Sequence, residues 1–117
     1  MKKKILWVSR HPIRRDQIKE LRQIHGDIEI ISMATKVTDP YDIKLKMEEI
    51  QADDVVVVLP LNHIATLISI GIQPLRAVMD HRYYEEDGIT KVQYRHEYFE
   101  RIKNVEIERE KVLKEEV

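Results

Sequence analysis

Val55–Ile72, VVVVLPLNHIATLISIGI, is a run of eighteen residues without a formal charge, in a chain of which 35% of residues are charged. A run of that length could span a bilayer as a helix, but its internal order points elsewhere. Four consecutive valines are β-branched and stiff at χ1, which suits a strand buried on both faces of a parallel sheet. Pro60 ends such a strand. Asn62 has a side-chain oxygen able to cap a helix running to Ile70. Gly71 then serves as the C-cap glycine, and Pro74 closes the exit. The stretch predicts strand, tight turn and helix, with His63 at the strand's carboxyl end.

The same grammar extends on both sides. Lys4–Ser9 (KILWVS) reads as a first buried strand, and Arg10-His11-Pro12 as its exit loop. From Ile13 to His25 the apolar Ile13, Ile18, Leu21 and Ile24 fall on one helical face, and Gly26 stops the helix. Asp27–Met33 (DIEIISM) predicts a second strand. Asp39-Pro40 is a helix start with aspartate as N-cap and proline at the first helical position, and Ile43, Met47 and Ile50 form that helix's inner face. Asp53-Asp54 reads as the turn into the valine strand, and Leu75–Met79 as a fourth strand. Strand and helix alternating in this way predict βαβαβαβ with right-handed crossovers.

After Met79 the pattern changes. Glu86-Asp87-Gly88 is a hairpin-type turn. Thr90–Arg95 and Lys103–Arg109 alternate like antiparallel strands, the second with Val105 and Ile107 inward, and residues 109–117 read as a frayed acidic tail. The expectation is an α/β fold: a Rossmann-like three-layer sandwich in one domain over 1–117, with a parallel core sheet and a C-terminal antiparallel two-strand extension.

At 117 residues with a net charge of −1, the chain shows no bias toward bulk nucleic acid or membrane. Residues 1–25 are richer in Lys and Arg than in acids, which by itself reads as a solvated face. The absence of cysteine excludes disulfide and thiolate chemistry. Ile5–Val8 is too short for a signal-peptide core, so a cytoplasmic protein is expected. With three glycines there is neither a Gly-rich dinucleotide loop nor a P-loop. The histidines lack metal-ligand spacing. No cofactor and no metal are expected.

Ligands of open α/β sheets bind outside the carboxyl ends of the strands, where strand order reverses. Three such ends carry polar residues: Ser9-Arg10-His11, Asn62-His63 and Asp80-His81-Arg82. A 2-1-3-4 strand order sets the first and third ends side by side, with two helix N-termini offering free N–H groups to an anion. Ser9, Arg10, Asn62, Asp80, His81 and Arg82 are the candidate ligand-binding residues, and His11 and His63 the candidate catalytic ones. Each has a plainer alternative: Ser9 as a turn residue, Asn62 as only a cap, Arg10 as surface. His25 at a helix end and His96 read as structural, and Tyr83-Tyr84 as packing.

Two resemblances bear on function. Val8-Ser9-Arg10-His11 resembles the Arg-His signature of histidine phosphatases, in which the histidine takes up the phosphoryl group, and His81 could stand for the second histidine. Pro12 departs from that pattern, which has glycine there, and no insertion supplies the further arginines and acid. A second resemblance covers about Ile5 to Ile107. It rests on His11-Pro12 with Gln17, Leu59-Pro60-Leu61, Gly71-Ile72-Gln73-Pro74-Leu75-Arg76-Ala77, and Tyr94-Arg95-His96 with Phe99. These motifs are similar to those of small CRISPR-associated proteins with a Rossmann-like fold, related to the cyclic-oligonucleotide-sensing (CARF) domains, some regarded as ring nucleases. That resemblance implies an antiviral-defence homodimer binding a cyclic oligoadenylate, or another phosphate-bearing ligand, across its two-fold axis. It fixes no catalytic residue.

Cleavage of such a ring needs no metal if a ribose 2′-OH attacks the adjacent phosphate; it needs alignment, a cation and a base. Arg10 could hold phosphate, and His11 or His63 could move the proton. The helix at 61–70 is apolar nearly all round, which makes it the expected homodimer contact. A non-catalytic dimeric binding module on the same fold is the alternative from another class.

Overall fold

A computed structural model describes residues 2–106. Its elements are β1 (Lys3–Val8), α1 (Arg15–His25), β2 (Ile28–Met33), α2 (Tyr41–Ile50), β3 (Asp54–Val57), α3 (Leu61–Ser69), β4 (Leu75–Glu86) and β5 (Ile89–Arg101). They form an α/β fold on one five-stranded sheet of order β2-β1-β3-β4-β5. β1 pairs in parallel with β2 and β3, and β3 with β4. The β4–β5 pair is antiparallel.

The valine run is the centre of this sheet. Val55, Val56 and Val57 are at most 1% exposed, each side chain contributing about 1.5–3 kcal/mol of burial. Strand periodicity divides the core. Leu6, Val8, Val55 and Val57 face Ile43 of α2 and Ile64 and Leu67 of α3. Ile5, Trp7, Ile28, Val56 and Leu75 face Leu21 of α1. Helices therefore cover both faces.

Several boundaries differ from the sequence reading. α3 starts at Leu61 behind an extended Pro60. Asn62 is inside the helix, exposed, with its C=O accepting from Thr66 Oγ1 at 3.1 Å. Pro60 C=O instead receives the His63 and Ile64 N–H groups at 3.0 and 3.1 Å; proline has φ already set for a helix entrance. Gly71 takes φ 89° and follows α3 as a glycine terminator, Ile72 N–H closing back on Leu67 C=O at 2.9 Å. At α2, Asp39 Oδ1 accepts the Tyr41 N–H at 3.0 Å, so it caps the turn that Pro40 opens. On α1, Gln17 is buried while Ile24 is 46% exposed.

The larger correction concerns the extension. β4 does not stop at Met79 but runs to Glu86. It turns through Asp87 (φ 55°) and Gly88 (φ 75°) and returns as β5 to Arg101. Two consecutive positive φ values are those of a type I′ hairpin turn, which Asp-Gly tolerates. The expected second antiparallel strand at Lys103–Arg109 is not formed over Lys103–Glu106. Ile107–Arg109 and the expected tail lie outside the described residues. Val105 nonetheless packs on the α2–α3 side of the core.

The hairpin curls over α1 because helix side chains satisfy its backbone. A register shift at Val78/Met79 leaves Glu97 as an extra residue on β5, a bulge that bends the strand. Around it, Asp16 Oδ2 accepts the His96 N–H at 3.2 Å and Glu20 Oε1 accepts the Phe99 N–H at 3.0 Å. Glu20 also bonds the buried His96 ring, which stacks on Phe99 at 4.5 Å. Arg14 Nη2 donates to the Tyr94 C=O at 3.1 Å.

Candidate functional site

The crevice of interest opens where β1 and β3 lie side by side and their chains leave in opposite directions. It encloses about 440 Å³, within the range of about 300–1,000 Å³ common for small-molecule sites. Three loops line it, each from a strand's carboxyl end: Ser9, Arg10 and His11 after β1, Thr35, Lys36 and Val37 after β2, and Val58–Pro60 with His63 after β3.

The β1 loop is held in one shape by two neighbours. Ser9 is buried, and its Oγ accepts the His11 N–H at 3.1 Å. Trp7 Nε1 donates to the His11 C=O at 2.9 Å. Both bonds use the backbone of His11 and leave its imidazole, like the Arg10 guanidinium, exposed. Val58 N–H donates to the Val8 C=O at 3.0 Å, fixing the mouth between the two strand ends.

His63 sits on the first turn of α3, half-buried, with Nδ1 shielded from solvent and lacking a hydrogen-bond partner. No carboxylate of the described residues lines the crevice. Among the described residues, neither Arg10 nor Lys36 takes part in an ion pair. The result is a concave site with two exposed cations, two imidazoles and an apolar floor, chemistry suited to a phosphate-bearing ligand with an apolar or aromatic body.

Of the residues singled out in the sequence, Ser9, Arg10, His11 and His63 come together here. Asn62 lies one residue from the rim and is not part of the lining. Asp80, His81 and Arg82 are elsewhere, on the projecting part of β4. Asp80 and Arg82 border a hollow of about 170 Å³ with Arg14, Tyr94 and Arg95, where Asp80 is 3.7 Å from Arg82 and 3.9 Å from Arg95. His81 is on the opposite face of the hairpin, its ring 5.6 Å from Tyr83 and 6.2 Å from Tyr94. Lys36 was missed; the signal that could have found it was its place beyond the end of the second strand.

A second polar cluster lies at the other end of the sheet. Asp54, the first residue of β3, has a side chain 5% exposed. Arg101 grips it in a fork, Nη1 to Oδ1 and Nη2 to Oδ2, both at 2.7 Å. His25 Nε2 approaches Oδ2 at 2.8 Å, and the Val55 N–H donates to Oδ1 at 2.8 Å. Burial alone would raise the Asp54 pKa. The hydrogen bonds from Arg101, Val55 and His25 outweigh that and hold it below the ordinary 3.8. The same bond raises the Arg101 pKa. Every strong donor here already has its acceptor, so the cluster reads as a clamp tying β3, β5 and α1 together.

Comparison with protein-family models, with curated proteins and with solved structures gave no match. Among the described residues, no group of three His, Asp or Glu side chains could hold a metal ion, and no helix is long and apolar enough to cross a membrane.

Proposed function

We propose that the chain binds a phosphate-bearing nucleotide in the crevice between the β1 and β3 loops. The observation that carries this reading is the convergence of Arg10, His11, Lys36 and His63 around a preformed hollow that, among the described residues, no carboxylate lines. An anion entering there meets uncompensated positive charge and the first turn of α3, whose N–H groups point toward the carboxyl end of the sheet. The apolar floor of Val8, Val37 and Leu59 suits a base or ribose.

Within this class, the motif resemblance makes a cyclic oligoadenylate of antiviral defence the first ligand to test, held by a Rossmann-like homodimer. Turnover as a ring nuclease would proceed by attack of a ribose 2′-OH on the neighbouring phosphorus, with the 5′-oxygen leaving and a 2′,3′-cyclic phosphate forming. His11 or His63 would take the hydroxyl proton and Arg10 would steady the phosphate. No metal is required for that step. The histidine-phosphatase reading has less support, because His81 is not among the residues lining the crevice.

Calorimetric titration with cyclic tetra-adenylate, cyclic hexa-adenylate and adenosine monophosphate tests the proposal. Binding that weakens at least about tenfold in Arg10→Ala is expected, as for loss of one charge-assisted hydrogen bond. Absence of binding to all three, or affinity unchanged in Arg10→Ala, would sink it. Linear products formed in EDTA and lost in His11→Ala would establish turnover through His11. Binding without products would favour a sensor.

A further inference from the structure

Among the described residues, nothing pairs with one edge of the projecting β4–β5 hairpin. On β5, the Tyr94 C=O and the His96 and Phe99 N–H groups bond to Arg14, Asp16 and Glu20. At these positions the β5 backbone therefore points away from β4. Directly opposed residues of an antiparallel ladder share that orientation. Their partners His81, Met79 and Ala77, and by alternation Tyr83 and Glu85, must point their N–H and C=O groups off the far side of β4. β3 reaches β4 only at Leu75, and among the described residues none of these five outward positions has a backbone partner beyond β5. A two-stranded ribbon is marginal in water by itself, and a long open edge is a template for another strand.

We propose that this edge, Ala77 to Glu85, pairs antiparallel with the same edge of a second copy about a two-fold axis at His81. The sequence selects both partner and register. Centred on His81, Asp80 faces the second copy's Arg82, and Arg76 faces its Glu86. Met79 faces Tyr83, and Val78 faces Tyr84. A shift of centre to Asp80 or to Arg82 sets two like charges directly opposite at the axis, which is destabilising. A shift to Met79 opposes Arg76 and Arg82, and a shift to Tyr83 opposes Asp80 and Glu86. The chosen register alone among these avoids every clash and makes opposite-charge pairs twice over.

It also completes a surface. His81, Tyr83 and Tyr94 share one face of the hairpin, with Tyr83 70% and Tyr94 56% exposed. Pairing joins the two copies' faces into one aromatic stripe, while Asp80, Arg82 and Glu86 meet on the other side. About ten backbone hydrogen bonds would form, the number of a typical interface. α3 has less to offer, since Ile64 and Leu67 are core and Leu61 is its exposed large residue. The inference stands on the hairpin and not on the ligand: its failure would leave nucleotide binding by a single crevice untouched, and failure of that binding would leave the edge pairing intact.

The lack of cysteine gives a clean test. In the full chain, His81→Cys places two thiols on the axis, where a hydrogen-bonded pair has Cα atoms about 5.5 Å apart, suited to a disulfide. Mild oxidation should give a cross-linked dimer with His81→Cys. Glu85→Cys should give none, because its two copies would lie about 27 Å apart at 3.4 Å per residue. Sedimentation should show wild type as a dimer. Arg82→Glu, which faces Asp80 across the axis and within its own exposed hairpin lies opposite Gln93 and 3.7 Å from Asp80, should be monomeric with an unchanged circular dichroism spectrum. A monomeric wild type, equal cross-linking of both cysteine variants, or a dimer that survives Arg82→Glu but dissociates in Leu61→Asp would overturn the proposal.

Discussion

At the amino end of the sheet, His25, Asp54 and Arg101 bring histidine, carboxylate and arginine into one buried knot in which every strong donor finds an acceptor. At the carboxyl end, Arg10, His11, Lys36 and His63 bring similar groups to a crevice and leave them open. The chemistry of the residues is nearly the same; the difference is the carboxylate. A paired, desolvated arginine holds structure, and removing its partner exposes the cost of burying it. An unpaired one over a preformed hollow can be neutralised by something from outside. Residue type alone therefore does not identify a site on this fold, whereas the state of pairing does.

The comparison breaks most visibly at Asp54. Asp54→Ala would strand Arg101 and His25. Arg101 keeps about a third of its side chain in solvent, so we expect a loss of about 2–3 kcal/mol rather than the full value for a buried pair, read as a lower urea midpoint. Affinity at the crevice should hold in whatever fraction remains folded. Arg10→Ala should do the reverse: binding falls at least about tenfold, while the unfolding free energy changes by less than about 0.5 kcal/mol.

Acid tests the same contrast. The Asp54 pKa is held below 3.8 in the folded chain, so its contribution is complete above that value and is lost as pH falls through the lowered pKa. The unfolding midpoint should drop below about pH 4, and Asp54→Asn should flatten that drop. A drop of equal steepness in Asp54→Asn would assign it to other carboxylates. The smallest effect is expected at Trp7→Phe. It removes the indole N–H that fixes His11 and should weaken binding by a factor of a few, about 0.5–1 kcal/mol, with little change in fold.

β1 and β3 could be read from the chain because buried parallel strands are near-continuous apolar runs, and KILWVS and VVVV are such runs. β2, at the sheet edge, could be read instead from Ile28 and Ile30 alternating with Asp27 and Glu29. The distal part of β4 could not. After the half-buried Asp80, HRYYEE is exposed on both faces, so no hydrophobic alternation marks it. It is a strand because β5 pairs with it across Asp87-Gly88. Taking the strand to end at Met79 is what turned Asp80-His81-Arg82 into an apparent site. Asp54 was misread for a different reason. A charge before an apolar run looks like a turn residue, and its partners lie 29 and 47 positions away. At the crevice, Ser9, Arg10, His11 and His63 follow from the rule of strand ends, whereas Asn62 was displaced because the helix is capped at Pro60, two residues earlier.

Asp16 and Glu20 hold backbone groups of His96 and Phe99, partners 80 and 79 positions further along the chain. At roughly 5–20 residues per second, a ribosome takes about 4–16 s to supply that distance. Throughout that interval the first helix can cover Leu21 against the early strands, and Asp16 Oδ1 already accepts the Gln17 N–H, but Asp16 Oδ2 and Glu20 Oε1 lack the β5 donors they later hold. The helix made first is thus among the last to be finished, and the nascent chain stays open along that side until the hairpin arrives.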